Sequence, residues 1–223
     1  MKAPVFALVA LMLAACQPQP AAPAAEPAAA MPEPVAEAAH DAPPADEVFA
    51  ASFDCAKATS EIEKLVCADP ELAALDKRLA DVYQKELDRP DTVKPAMAAS
   101  QRGWSKGRDD CWKAGDTRRC TLESYWTRLA ELQVNSPDTA APTPVNFDCD
   151  NDGQAVSAMF YAQFEPLTMQ LQVGKDRAFL FAEPSGSGSK YGRDGAEFWE
   201  HQGEASIDFY GNKLKCKPAG NPD

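Results

Sequence analysis

Seven cysteines constrain this chain more than any other feature: Cys16, Cys55, Cys67, Cys111, Cys120, Cys149 and Cys216. The first closes an apolar run, Pro4 to Leu13, preceded by a single charge at Lys2. Such a run is long enough for the core of an export signal and too short to span a bilayer. An exported chain keeps its cysteines in an oxidising compartment, where an unpaired thiol is a liability. Setting Cys16 aside leaves an even set suited to disulfides, so small modules stapled by sulfur are expected rather than one large core.

The segment Leu13-Ala14-Ala15-Cys16 resembles the lipobox of bacterial lipoproteins. The resemblance implies a signal peptide over residues 1–15, acylation of Cys16 with chains such as palmitate, and stable attachment to a membrane. Gln17 rather than Asp after the anchor implies an outer-membrane address facing the periplasm. Residues 16–50, the lipidated Cys and an Ala, Pro and Glu segment, hold too little apolar surface to offset chain entropy and read as a disordered, extended linker. Half of the net charge of −12 sits there, on Glu26, Glu33, Glu37, Asp41, Asp46 and Glu47. So acidic a chain argues against nucleic-acid binding and favours a basic protein partner.

Residues 51–134 read as helical. Asp69 can cap a helix that Pro70 opens, and Leu72, Leu75, Leu79, Val82, Tyr83 and Leu87 then recur at helical spacing. A second helix is expected within Val93 to Trp112, and a third from Thr117 to Val134 with Leu122, Tyr125, Trp126, Leu129 and Leu132 on one stripe. The four cysteines here allow three pairings. An antiparallel hairpin of the first two helices would bring Cys67 to Cys111 and leave Cys55 for Cys120.

Residues 135–146, with Pro137, Pro142 and Pro144, read as a second linker, and from there the period changes from helical to alternating. Leu167, Met169, Leu171 and Val173, and later Ala205, Ile207 and Phe209, alternate with polar residues as half-buried strands do. Further strands are expected at Val156 to Tyr161, Ala178 to Phe181, Glu197 to Glu200 and Lys213 to Lys217. Many short strands within 147–217 imply a small barrel or sandwich whose terminal strands Cys149 and Cys216 can tie, before a tail at 218–223. The expected class is a two-domain α plus all-β chain: a disulfide-stapled helical bundle, then a small antiparallel β-barrel.

The second module resembles the family of membrane-bound inhibitors of c-type lysozyme (MliC). The resemblance rests on Phe147-Asp148-Cys149, the loop from Ser185 to Tyr191, Phe198-Trp199 followed by Glu204-Ala205, and Cys216. It implies a β-barrel that sends a Ser/Gly loop into the lysozyme cleft. Ser187 is then the loop residue, between Gly186 and Gly188, with Lys190 and Tyr191 beside it. His201 stands where the family shows a supporting Lys, and a neutral imidazole lacks that ion pair. Lysozyme works with one protonated and one ionised carboxyl at the base of a groove. A protruding hydroxyl that donates and accepts, with a cation from Lys190 or His201, suits that groove.

Residues 53 to 132 resemble the N-terminal domain of LprI-type lysozyme inhibitors, on Cys55, Ala58, Glu61, Cys67, Leu72, Leu75-Asp76, Tyr83, Gln101, Trp104, Cys111, Cys120 and Tyr125. Tyr83 and Trp104 read as core there. The resemblances imply an inhibitor with no catalytic residues, no metal and no cofactor. The histidines, His40 and His201, assemble no zinc or nucleophile site with cysteines committed to lipid and disulfides. The alternative is a non-catalytic envelope module that binds peptidoglycan or another envelope protein.

Overall fold

The computed structural model describes residues 48–150 and 153–220. The signal peptide, Cys16 and its acylation, the linker up to residue 47, Asp152 and residues 221–223 of the tail lie outside the described residues.

Four helices, not three, form the first half. The added one, α1 (Glu61–Ala68), opens on a capping box: Ser60 Oγ accepts from the Glu63 amide at 3.0 Å while Glu63 Oε2 accepts from the Ser60 amide at 3.0 Å. Helix α2 (Pro70–Leu87) starts where Asp69 Oδ1 accepts from the Glu71 and Leu72 amides at 3.0 and 3.1 Å, with Pro70 in the first turn. Helices α3 (Lys94–Asp109) and α4 (Thr117–Val134) follow, joined by a 3-10 turn at Asp110–Lys113. Their shared core is Leu72, Leu75 and Leu79 of α2 against Leu122, Tyr125, Leu129 and Leu132 of α4, with Ile62 and Val66 of α1 filling one side. Tyr83 and Trp104 pack against it.

Inside this bundle lies a polar network. Tyr125, with no exposed surface, donates its hydroxyl to Asp76 Oδ1 at 2.9 Å and accepts from Arg108 at 2.8 Å. Asp76 also accepts from the Ser52 amide at 2.7 Å. Every member is satisfied, which is the condition for a buried polar group to be tolerated.

The disulfides of this half correct the pairing of Cys67 with Cys111 and Cys55 with Cys120. The bonds are Cys55–Cys67 and Cys111–Cys120, 12 and 9 residues apart. The reason is local. Cys67 belongs to the last turns of α1, which fold it back on the 3-10 turn at Cys55–Lys57. Cys111 and Cys120 face each other across the short connection from α3 to α4.

The second half is a closed barrel of eight antiparallel strands in sequential order: β1 (Val145–Cys149), β2 (Val156–Tyr161), β3 (Thr168–Val173), β4 (Asp176–Ala182), β5 (Ser189–Arg193), β6 (Ala196–His201), β7 (Glu204–Phe209) and β8 (Asn212–Pro218). Closure removes every free edge. Cys149 and Cys216 are direct cross-strand partners where β1 meets β8, and they are bonded. The interior is apolar, with Phe147, Met169, Leu171, Leu180, Phe198 and Ile207 among its members.

The helical half covers part of the barrel's outer face. Trp126 of α4 packs on Phe181 of β4 with ring centroids 5.2 Å apart, and Tyr161 and Phe181 are buried although they alternate with core residues. Both carboxylate oxygens of buried Glu123 accept from the Asp194 amide, at 3.1 and 3.0 Å, and Arg78 donates to the Glu165 carbonyl at 2.6 Å. The connection between the halves is fastened as well: Ser136 and Asp138 accept from Arg89, and Asp138 pairs with Lys85.

Candidate functional site

Residues 183–188 join β4 to β5 at one rim of the barrel. The turn is held from three sides. Ser185 Oγ donates to the Ser187 carbonyl at 2.6 Å, closing a local ring. Trp199, outward on β6, donates its indole N–H to the same carbonyl at 3.1 Å. Gly188 has φ +69, and a Cβ there would lie 2.0 Å from the Glu200 carbonyl oxygen, so only glycine fits its seat against β6. Gly186 has open space around it. The result is a backbone fixed at Ser187 and Gly188, with the Ser187 side chain exposed.

Of the six residues expected to meet a partner, the structure brings Gly186, Ser187, Gly188 and His201 to this rim. His201 ends β6, its Cα 3.2 Å from where a Gly188 Cβ would stand. Its ring stacks on Trp199, centroids 5.8 Å apart and planes 16° from parallel. Trp199 is 40% exposed. It both anchors the loop and offers an open aromatic face; the alternation of the strand places Trp199 opposite in facing to buried Phe198.

Lys190 and Tyr191 have other partners. The Lys190 ammonium lies 2.9 Å from Glu197 and 3.3 Å from Glu183, and those hydrogen bonds hold it above the ordinary lysine range. Tyr191 turns toward the barrel interior, against Phe160 at 5.6 Å, and its burial raises its phenol. The loop base is also tied to the helices: Glu183 accepts from Arg119 of α4 at 3.3 Å, and Arg119 bonds Glu123 at 2.8 Å. Among the described residues no group of His, Cys, Asp and Glu could hold a metal ion, and no helix is long and apolar enough to cross a membrane.

A closed barrel that presents one rigid, glycine-seated loop beside an exposed aromatic, behind a disulfide-tied helical bundle, defines a protein-binding module. Residues 147–215 match the family described as membrane-bound lysozyme-inhibitor of c-type lysozyme, and residues 55–135 match the family described as lysozyme inhibitor LprI. The chain is 40% identical over 166 residues to lipoprotein LprI of Mycobacterium bovis and to that of Mycobacterium tuberculosis, covering 74% of this chain and 83% of theirs. The chain belongs to the LprI family, whose members are non-catalytic inhibitors. No solved structure matches it.

Proposed function

We propose that this protein inhibits c-type lysozyme by placing the Ser185 to Gly188 loop in the enzyme's active-site cleft, while an acylated Cys16 holds it in the cell envelope at the periplasmic face of the outer membrane. The observation that carries this reading is the fixed Ser187 carbonyl. With its backbone ordered before any encounter, the loop loses little conformational entropy on binding. The Ser187 hydroxyl, exposed at the tip, then addresses either carboxyl of the enzyme, as donor to the ionised one and acceptor from the protonated one. His201 and the face of Trp199 supply the adjoining contact surface. Lys190 serves the barrel, since its two carboxylate partners would have to be displaced before it met a third.

The test is a lysis assay of c-type lysozyme titrated with the soluble Cys16→Ser protein. Stoichiometric inhibition is expected. Ser187→Ala should weaken it about tenfold, the scale of one or two hydrogen bonds at a desolvated site. Gly188→Ala, which no longer fits against Glu200, should weaken it more. His201→Lys should strengthen it. No inhibition by the folded, oxidised protein would refute the reading in favour of an envelope-binding role without lysozyme.

A further inference from the structure

Between the helices and the barrel lies a second feature that the inhibitory loop does not use. A cleft of about 1060 Å³ opens between α3, α4 and strands β2 to β5. Among the described residues, the buried side-chain polar atoms without a hydrogen-bond partner are Thr127 Oγ1, Arg128 NH2 and Arg193 Nε. All three residues line this one cleft. Buried donors are nearly always satisfied, and a charged one left without a partner is the most costly kind. Three such atoms therefore belong to residues that share one lining, two on α4 and one on β5.

Arg128 is the clearest case. It is 5% exposed, its Nε donates to Gln101 Oε1 at 3.0 Å and its NH1 to Glu131 Oε2 at 3.0 Å, which leaves one edge of the guanidinium for a further acceptor. Arg177 lines the same cleft, exposed, with no ion pair among the described residues. The acids of the lining do not cancel this charge: Glu86 is engaged by Arg89 and Glu131 by Arg128, leaving Asp91. That leaves Arg177 and Arg193 facing Asp91 alone among the acids of the lining. Met97, Met159 and Phe179 give the cleft an apolar wall.

We propose that the cleft binds a small carboxylate-bearing ligand with a partly apolar body, its carboxylate accepting from Arg128 NH2 and Arg193 Nε and its remaining polar group meeting Thr127. Guanidinium donors suit a carboxylate, and a cleft of this size suits a ligand of a few hundred daltons. A monoanion is favoured over phosphate because Asp91, with no ion pair among the described residues, stands in the same lining and repels a second negative charge. The carboxylate can come from a cell-wall peptide fragment or from a fatty acid; both present this chemistry. The site is independent of the loop and of any lysozyme.

The test is calorimetric titration of the Cys16→Ser protein with muramyl dipeptide, with decanoate and with inorganic phosphate, together with the Arg193 Nε–H signal followed by NMR. Binding of either carboxylate probe with a shift of that signal is expected, and the stronger of the two identifies the source. Arg193→Gln should weaken binding about tenfold, with Arg177→Gln smaller and the lysozyme assay unchanged in both. Arg128→Lys keeps the charge beside Glu131 and removes the free edge, so it should weaken binding as well. If that variant fails to fold cooperatively, Arg193→Gln still decides. No binding of either carboxylate at millimolar concentration, preference for phosphate, or binding indifferent to Arg193→Gln would overturn the proposal.

Discussion

The two halves of this protein solve the problem of a small core in different ways. The barrel closes on itself, keeps its interior apolar and adds one disulfide that spans 67 residues. The bundle has two disulfides that span 12 and 9, and buries Asp76, Glu86, Arg108, Glu123 and Arg128 alongside its leucines. A closed sheet satisfies its own backbone and needs side chains only to fill it. Four short helices leave ends and seams, which polar side chains then join. The barrel therefore depends on topology and the bundle on particular hydrogen bonds, and the two should fail under different insults.

The largest expected difference concerns sulfur. Replacing Cys149 and Cys216 with Ala should cost about 4 kcal/mol, because the bond closes a long loop of the unfolded chain, whereas replacing Cys55 and Cys67 should cost about 3 kcal/mol. Guanidinium unfolding of the two double variants measures both; equal losses would break the comparison. Next is Tyr125→Phe, which leaves buried Asp76 and Arg108 without their shared hydroxyl and should cost about 2 kcal/mol, read in the same experiment.

Acid should separate the halves further. Glu63 is held below the ordinary carboxylate range by the amides of Ser60 and Thr59, and Asp138 by Arg89 and Lys85. For Asp69, burial pushes upward with the largest single effect, but Arg118 and the Leu72 and Glu71 amides together outweigh it. These carboxylates bind fewer protons folded than unfolded. Their contribution is complete above the ordinary carboxylate range and is lost as pH falls through the lowered values. All three lie in the bundle or on the segment fastened to it. Helical circular dichroism should therefore decline at a higher pH than the near-ultraviolet signal of Trp199, and Asp69→Ala, at about 1 kcal/mol, should move that decline upward. The smallest effect is that of Glu183→Gln: its surface pairs with Arg119 and Lys190 are worth under about 1 kcal/mol, yet their loss loosens the loop base and should weaken inhibition more than stability.

Much of this was legible in the residues. The α2 and α4 stripes, the Asp69-Pro70 start, the alternating β3 and β7 and the bond between the barrel's terminal strands follow from period and capping alone. Helix α1 was missed although Ser60 and Glu63 spell a capping box, since eight residues give too short a stripe to stand out. That omission misplaced Cys67 and with it the disulfide pairing. Strand β5 was hidden because Ser189, Gly192 and Arg193 belong to no apolar alternation. The contact between the halves leaves its trace in the sequence: Phe160-Tyr161 and Leu180-Phe181 are paired apolar residues on strands that otherwise alternate, the sign of a second covered face. At the rim, the loop and its glycines could be read; the indole bond from Trp199 and the engagement of Lys190 by two acids depend on register across β5 and β6.

The position of the Cys149–Cys216 bond has a mechanical consequence. These residues sit directly opposite one another on the two strands that close the barrel, so tension entering before Cys149 and leaving after Cys216 crosses through the sulfur atoms. The strands between them carry no load. A chain pulled by its two ends would thus stretch and unravel in its helical half first, while the sheet that presents the loop kept its shape.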